Sequence, residues 1–398
     1  MKRVLYFYPH KFSKLTDGCH VRVVSFLNYF KSRDILVDML SYENSSISED
    51  YLTINSLVNS LTFVDENPFV NKGAEKGELF IKKKLRSLLK VRKDNDGQKL
   101  PNFASDGLIK KVRDLLAKCH YDFFLVTYTY WADLAMHLIS GHGTRSILDT
   151  NDFLTLQLYY KDGSFKNVGS MFSDELTRAN KFDEVIHISF DEKVLFSNFI
   201  HEDKNYFIPQ FFESNKHEFG NLNKRFDIIF VGGKNQFNIE GINWFLEKVL
   251  PFIRKDARIA IAGNICDIID KQYDRVIKLG FVEDIENLYT SSKCCICPIK
   301  KGSGMKIKVI EALSFGLPVV STSKGVDGFV NKDFEGGMIV EDQAEIFAEQ
   351  LNRLLTDKEF YKNQCQLSLN LFEKYFSAEI NYSKLDKVFD FKATKSKL

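Results

Sequence analysis

Two series of alternating strand-like and helix-like segments constrain the fold of this chain more than any other feature. The first series opens with residues 3–8, a run of β-favouring side chains, and continues with apolar residues at near-helical spacing over 21–30. Residues 35–40 form the next strand-like run. Strand, helix and strand in this order is the unit of a parallel sheet, because a parallel neighbour requires a crossover connection. The sequence therefore predicts an α/β fold with a doubly wound parallel sheet.

The alternation is interrupted once and then restarts. Residues 209–225 show no hydrophobic period, and the apolar run 227–231 then opens the second series. We therefore expect an N-terminal domain at 1–208, a linker at 209–225 and a C-terminal domain at 226–371. Both domains are predicted to be Rossmann-like and to face each other across a cleft. The aromatic, mixed-charge stretch at about 372–398 is predicted to be a helix that packs back on the N-terminal domain.

Further strand-like runs support both series. They lie at residues 122–126, 146–148, 184–188, 205–208, 258–262, 276–279, 294–299 and 318–321.

Composition excludes several classes of protein. The 398 residues are 44% apolar and 27% charged, which is typical of globular proteins and not of disordered chains. The net charge is only +2, so no nucleic-acid partner is expected. No apolar run approaches the ~20 residues that span a bilayer. The first apolar run, residues 4–8, is too short for a secretory signal, and we expect a cytoplasmic protein.

The cysteines and acidic strings do not indicate a metal site. Cys294, Cys295 and Cys297 lie in a short apolar run, which favours reduced thiols packed in a buried strand. A zinc site would also need a second ligand pair nearby, and nothing in the sequence demands one. The D-x-D string at residues 94–96 lies in a polar segment and is interpreted as a loop. We expect no metal ion.

Residues 72–99 form a basic segment with ten Lys or Arg and four Asp or Glu, and apolar side chains give it a stripe. Two interpretations stay open. The segment is a solvated helix followed by a loop, or it makes peripheral contact with an anionic membrane surface or a lipid-phosphate acceptor.

The segment 298–322 is the most informative for chemistry, because it reads as strand, glycine turn, helix and strand. Gly302 and Gly304 allow a ligand to approach the backbone, and a helix N-terminus attracts phosphate. Lys306 and Lys308 add positive charge where it opposes the helix dipole, which makes more sense beside an anion. Glu311 follows on the helix and could accept hydrogen bonds from a ribose diol.

Two common nucleotide-binding motifs do not fit this sequence. Ile307 stands where the third glycine of a dinucleotide fingerprint would be, so a nicotinamide site is disfavoured. The P-loop pattern G-x-x-x-x-G-K-[ST] does not occur. The G-S-G string alone is a weak signal, because many turns contain it.

The sequence GSGMKIKVIEALSFGLPVVSTSKGVDGF resembles the donor-site signature of retaining glycosyltransferases of family 4, which have the GT-B fold. FVGGKNQFNIEGINWFLEKVLPFI resembles the opening strand, glycine turn and helix of the nucleotide domain. SILDTNDF and EVIHISFDEKVLF resemble strands on the acceptor side. The resemblance is strong over residues 227–329 and weak over 43–101.

The resemblance implies donor-binding roles for several segments. Glu311 matches the glutamate that binds the donor ribose, and Lys308 supports the phosphate loop. The other implied donor-binding residues are Gly233 and Lys234 facing the diphosphate, Gly280, Phe281, Val282 and Glu283 facing the base, Gly302, Ser303, Gly304, Met305 and Lys306 in the phosphate loop, and Gly18 approaching from the N-terminal domain.

The chain departs from the family pattern at three positions. Ser303 stands where many members have a first glutamate, and Glu240 stands about where many have a lysine. Asn151 replaces a histidine of the acceptor side, so Asn151, Asp149 and Asp152 orient the acceptor in this interpretation. Asp149 could equally be a structural residue at a strand end. The catalytic candidates are Asn151, Asp149 and Lys306.

The implied function is transfer of a sugar from a UDP- or GDP-sugar to a hydroxyl of a glycan, lipid or protein acceptor, with retention and without a cofactor. One alternative is a catalytically silent paralogue that acts as a subunit or scaffold. Another is a nucleotide-sugar 2-epimerase. His10 and His20 flank the first loop and are the histidines to test.

Overall fold

A computed structural model describes most of the chain. The described residues are 1–9, 18–42, 56–64, 99–136, 143–162, 167–215, 224–330, 332 and 336–391. The chain divides into two compact units. The first consists of Met1–His187 and Lys193–Phe207, and the second of Ile188–Glu192 and Ile208–Leu398.

The first unit is built on a parallel sheet that has seven strands among the described residues. The strands are β1 (Arg3–Phe7), β2 (Leu36–Tyr42), β3 (Ser60–Val64), β4 (Phe123–Thr127), β5 (Arg145–Asp149), β6 (Glu184–His187) and β7 (Asn205–Phe207). They lie in the order β3-β2-β1-β4-β5-β6-β7. The order reverses between β1 and β4, as in a Rossmann sheet.

Six helices lie among the described residues of the first half of the chain. They are α1 (Gly18–Ser32), α2 (Asp106–Lys118), α3 (Asp133–Met136), α4 (Leu154–Asp162), α5 (Val168–Ala179) and α6 (Phe190–Phe196). Helix α2 begins where the Ser105 hydroxyl accepts a hydrogen bond from the Leu108 N–H, and it buries Leu108, Val112 and Leu116 at helical spacing. The core on this side of the sheet is aromatic. The Trp131 indole lies within it and donates to the Tyr42 hydroxyl at 3.0 Å.

The second unit repeats the same topology. Its strands are β8 (Phe226–Val231), β9 (Ile259–Ala262), β10 (Val276–Gly280), β11 (Ser292–Cys297), β12 (Val319–Ser321) and β13 (Met338–Val340). Their order is β10-β9-β8-β11-β12-β13, all parallel, so the order reverses between β8 and β11. The helices are α7 (Gln236–Trp244), α8 (Ile285–Thr290), α9 (Ile307–Ser314), α10 (Ala344–Thr356), α11 (Lys358–Tyr375) and α12 (Ala378–Val388).

The prediction of two doubly wound α/β domains is confirmed, and two strands were missed. β3 and β13 lie at sheet edges, where a short strand needs little apolar sequence. Cys294, Cys295 and Cys297 are buried in β11, as the apolar run predicted.

The terminal helix differs from its prediction, because it consists of the two helices α11 and α12. The break falls at Phe376 and Ser377, where the backbone of Phe212 pairs with both sides: the Phe212 N–H donates to the Phe376 carbonyl, and the Ala378 N–H donates to the Phe212 carbonyl. Part of the predicted linker is therefore fixed within the second unit. The packing of the terminal helix on the N-terminal domain stays a prediction.

Among the described residues, no helix combines the length and apolarity needed to cross a bilayer.

Candidate functional site

The candidate site lies at the carboxyl edge of the second sheet, where the strand order reverses. Gly232 and Gly233 follow β8 there, and the loop containing Gly302 and Gly304 follows β11. In open parallel sheets, ligands bind outside the carboxyl ends of the strands at this reversal point. The structure therefore brings together the two glycine segments that the sequence singled out.

Backbone contacts tie three strand ends of this edge together. The Gly232 N–H donates to the carbonyl of Ala262 at 2.9 Å, and the Gly263 N–H donates to the carbonyl of Gly280 at 2.7 Å. A Cβ on Gly263 would lie 2.2 Å from the Gly232 oxygen, and φ is +97° at this position. Only glycine fits this position. Sequence analysis missed Gly263, although a single glycine directly after a buried strand is the signal that could have identified it.

Helix α7 connects the glycine turn after β8 with the loop after β11. A Cβ on Gly241 would lie 2.7 Å from the Pro298 carbonyl oxygen, so the helix backbone packs directly on this loop. Gly302 lies beside the ring of Phe237 on the same helix. The two glycine segments are therefore held by one rigid element.

Lys306 sits at the N-cap position of α9, where its side chain forms no capping bond. Its Nζ donates to the carbonyl of Gly304 at 2.6 Å and to that of Ser303 at 3.3 Å. Burial lowers the pKa of the ammonium group. The first turn of α9 holds no acidic residue, and Lys306 forms no ion pair within the described ranges. The positive charge thus lies at a helix N-terminus and contacts neutral oxygen atoms only.

Lys308 is partly buried, and its side chain contacts an asparagine of α7. Its Nζ donates to Asn238 Oδ1 at 2.7 Å and lies 4.3 Å from the centroid of the Phe230 ring. Asn238 Nδ2 in turn donates to the carbonyl of Gly233 at 2.9 Å. Burial lowers the pKa of Lys308. This chain of bonds fixes the glycine turn, and Asn238 is a residue that the sequence analysis did not identify.

Glu311 lies in the second turn of α9 and is partly buried. Its Oε2 accepts a hydrogen bond from the hydroxyl of Tyr289 at 2.8 Å. Burial raises the pKa of Glu311, and the bond from Tyr289 opposes that shift. Burial also raises the pKa of Tyr289, so the tyrosine is the proton donor in this pair.

The predicted base-facing segment connects β10 to α8. Gly280 has φ of +64°, and the ring of Phe281 is 53% exposed. Val282 is partly buried and Glu283 is exposed. Lys234, on the turn after β8, is exposed as well. The segment leads into α8, and Tyr289 on that helix contacts the Glu311 carboxylate.

Asp149 occupies a closed ion pair in the first unit. Arg22 Nε donates to Asp149 Oδ2 at 2.9 Å, and its terminal nitrogen donates to Oδ1 at 2.7 Å. Both side chains are 1% exposed. Of the two roles considered for Asp149, the geometry favours the structural one, since its carboxylate is engaged by Arg22. The sequence did not identify Arg22, which follows a loop that carried no motif.

Asn151 lies two residues after the end of β5 and has φ of +58°, a left-handed conformation that asparagine tolerates better than most residues. It is buried. Asp152 accepts a bond from Gln157 Nε2 at 3.3 Å. Gly18 is the first residue of α1, and His20 in its first turn is buried with its ring 6.2 Å from that of Tyr8.

Two departures from the family pattern lie beside the second-unit loop. Glu240 pairs with Lys301 at 3.4 Å, and both side chains reach solvent. Ser303 and Met305 complete the loop, with Met305 buried and Ser303 partly so. His10, residues 72–98 and the D-x-D string at 94–96 lie outside the described residues. Within the described part of the chain, no group of three or more His, Cys, Asp or Glu side chains could hold a metal ion.

Comparisons with known proteins concern the family and the fold. Residues 225–357 match the family described as Glycosyl transferases group 1. A protein of Klebsiella pneumoniae, described as an uncharacterized 44.6 kDa protein in a cps region, is 25% identical over 272 residues, which cover 61% of this chain and 67% of that protein.

Solved structures share the fold at low identity. Sucrose-phosphate synthase from Thermosynechococcus elongatus is 14% identical with a TM-score of 0.70, covering 98% of both chains. HepE of Anabaena in complex with UDP is 14% identical with a TM-score of 0.70, covering 98% of this chain and 100% of that one. A variant of S. aureus TarM, in complex with UDP, fondaparinux and α-GlcNAc-glycerol, has a TM-score of 0.67 at 14% identity, over 98% and 100% of the two chains. These likenesses establish a fold of two Rossmann-like domains.

Proposed function

We propose that this chain, a member of glycosyl transferases group 1 over residues 225–357 with the GT-B fold, transfers a sugar from a UDP- or GDP-sugar to a hydroxyl acceptor with retention at the anomeric carbon. The observation that carries the proposal is the pair of lysines at the start of α9. Lys306 and Lys308 form no ion pair with any described residue, and Lys306 lies at a helix N-terminus beside Gly304. Such an arrangement suits a bound diphosphate.

The same edge of the second sheet also offers contacts for the ribose and the base of a nucleotide. A diphosphate at Gly233 and Gly304 lies along α9 from Glu311, whose carboxylate can accept hydrogen bonds from ribose hydroxyls. The base then faces the backbone from Gly280 to Glu283. Structures of HepE with UDP, with UDP and glucose and with UDP-glucose support a nucleotide-sugar donor by analogy of fold.

In the proposed reaction the barrier lies in departure of the diphosphate and formation of positive charge on the sugar ring. Lys306 and the amide groups of the loop stabilise the negative charge that develops on the leaving diphosphate. The first domain positions the acceptor, with Asn151 and Asp152 as the nearest candidates and Asp149 fixing the strand end through Arg22. The reaction proceeds without a cofactor or a divalent metal in this proposal, so EDTA is expected to leave turnover unchanged.

Calorimetric titration tests donor binding most simply. UDP and GDP, and then UDP- and GDP-sugars, are titrated into wild-type protein and into Lys306→Ala. We expect one of the two nucleotides to bind and the variant to bind it more weakly. Absence of binding by UDP, GDP and their sugars would refute the proposal.

A donor-binding subunit without transferase activity is a second candidate. The engagement of Asp149 by Arg22 favours it, because one of the acceptor-side carboxylates is removed from chemistry. Incubation with the nucleotide sugar that binds, with and without pooled glycan, lipid-linked and protein acceptors, separates the two functions. Release of UDP or GDP with formation of a new glycoside supports the transferase.

The acceptor and the location are further parts of the proposal. We propose a cytoplasmic enzyme whose acceptor is a glycan, a lipid-linked sugar or a protein. The basic segment 72–99 contacts the membrane surface if the acceptor is lipid-linked. Co-sedimentation with vesicles that contain anionic lipid, compared between wild type and a variant with its lysines neutralised, measures this contact.

A further inference from the structure

Tyr289 lies near the end of α8 and is fully buried. Its ring stacks on that of Phe315, with centroids 5.2 Å apart and planes inclined by 11°. Phe315 follows Glu311 by four residues, which places the two on the same side of α9 and one turn apart. The stack therefore fixes the tyrosine ring relative to the helix that carries Glu311.

The fixed ring determines where the hydroxyl points. The hydroxyl donates to Glu311 Oε2 at 2.8 Å, and among the described residues this is the one hydrogen bond to the Glu311 carboxylate. A carboxylate has acceptor capacity on both oxygens. With Oε2 engaged by a rigid donor, Oε1 becomes the oxygen that is available to a ligand, and the rotamer of the side chain is set in advance.

We propose that Tyr289 is a positioning residue for nucleotide binding, which orients the Glu311 carboxylate so that Oε1 receives the ribose hydroxyls. This inference rests on the proposed function, because it assumes that Glu311 contacts the ribose. The inference adds Tyr289, a residue on a different helix, and assigns the ribose contact to one oxygen atom, Oε1. The signature around Glu311 identifies neither of them.

Preorganisation of this kind has a measurable advantage. A glutamate side chain loses rotamer freedom when it binds a ligand, and a fixed partner removes that cost before binding. The Tyr289→Phe variant keeps the ring, the stack on Phe315 and nearly the same volume. The substitution removes only the hydroxyl donor, so a change in nucleotide affinity measures the hydrogen bond to Glu311 and not the packing of the ring.

The bond also affects the charge of Glu311. The groups that face the carboxylate from other elements are Tyr289 on α8 and Cys295 on β11; on its own helix, Lys308 is turned to Asn238. Burial raises the pKa of Glu311 and the Tyr289 bond lowers it. Loss of the bond therefore raises the pKa further, and protonation removes the charged acceptor. As the pH decreases, the nucleotide affinity of Tyr289→Phe is therefore expected to begin to fall at a higher pH than that of the wild type.

The test compares ribonucleotides with their 2′-deoxy forms. UDP, GDP and the 2′-deoxy form of each are titrated calorimetrically into wild type and Tyr289→Phe at pH 7.5 and 5.5. We expect Tyr289→Phe to bind the preferred ribonucleotide ~3–10-fold more weakly, as for loss of one hydrogen bond. Its preference for the ribonucleotide over the 2′-deoxy form is expected to fall by a similar factor. Tyr361→Phe is the matched control, because Tyr361 is buried on α11 beside Cys365.

The outcomes separate this inference from the proposed function. If wild type binds neither UDP nor GDP and none of their sugars, the proposed function is wrong and the inference falls with it. If wild type binds and prefers the ribonucleotide, but Tyr289→Phe weakens both forms equally, only the positioning role is refuted. A control variant that loses as much selectivity as Tyr289→Phe would also refute it.

Discussion

The carboxyl edges of the two sheets differ in how their charges are balanced. At the edge of the first unit, the guanidinium of Arg22 is neutralised by Asp149, and both groups are buried. At the edge of the second unit, Lys306 and Lys308 bond to carbonyl and amide oxygens and form no ion pair among the described residues. The same topology therefore carries a buried ion pair in one case and, among the described residues, two lysines without an ion pair in the other.

The difference supports the proposal that the second edge binds an anion. Burying a charge is costly, and a chain that needs only stability pairs it or replaces it by an apolar group. The first edge follows that rule. The second edge keeps two partly buried ammonium groups that form no ion pair among the described residues, since Asp327, the carboxylate that acts on Lys306 from a distance, pairs with Lys324 and Lys332. Such an arrangement is reasonable where a diphosphate supplies the counter-charge.

Breaking the ion pair of the first edge should have the largest effect. Arg22→Met leaves the Asp149 carboxylate buried without its partner, and we expect the free energy of unfolding to fall by about 3–5 kcal/mol. The double variant Arg22→Met/Asp149→Leu should recover much of this loss. Urea unfolding measures both.

Lys193→Ala serves as the control for these variants. Its partner Glu202 is exposed, so the loss should not exceed ~1 kcal/mol. Equal losses for Arg22→Met and Lys193→Ala would contradict the structural role of the buried pair.

Removing a charge from the second edge should affect ligand binding instead of folding. We expect Lys306→Ala to weaken UDP or GDP binding by about 10–100-fold, the range of a charge-assisted hydrogen bond. Lys301→Ala is the matched control, because Lys301 belongs to the same loop but pairs with Glu240 in solvent. Calorimetry on both variants gives the comparison, and equal affinities would show that Lys306 does not contact the diphosphate.

The pH dependence of nucleotide binding tests whether the lysines of the second edge bind the diphosphate in their charged form. Burial lowers the pKa of Lys306 and of Lys308, so both ammonium groups lose their charge at a lower pH than an ordinary lysine. The charged form binds the diphosphate, and affinity should therefore be retained at neutral pH and fall as the pH rises into the alkaline range. In Lys306→Arg the fall should begin at higher pH, because arginine stays protonated. Titrations between pH 7 and 10 test this, and a flat wild-type profile would contradict it.

The smallest effect is expected at Glu240, where the family pattern has a lysine. Glu240→Lys replaces a negative charge near the site by a positive one, and we expect a gain in UDP or GDP affinity of ~2–5-fold at low salt that fades as salt screens it. Glu247→Lys makes the same change in net charge at an exposed position following α7. A gain of equal size in both variants would assign the effect to net charge alone.

The sequence predicted the sheets and the glycine loop after β11 because these features are local. Apolar runs specify the central strands, and the string from Gly302 to Glu311 places its turn, lysines and carboxylate on one loop and helix. The edge strands β3 and β13 were missed because short edge strands carry little pattern. Arg22, Asn238 and Tyr289 were missed for another reason. Each acts on a residue far away in sequence, and only the fold brings the partners together.

A crystal structure of the protein with bound UDP, or with GDP if that nucleotide binds more tightly, tests the central claim most directly. We expect the diphosphate beside Gly233, Gly304 and Lys306, with the ribose hydroxyls at Glu311 Oε1. A nucleotide bound at the edge of the first sheet, or one whose diphosphate lies away from the start of α9, would contradict it.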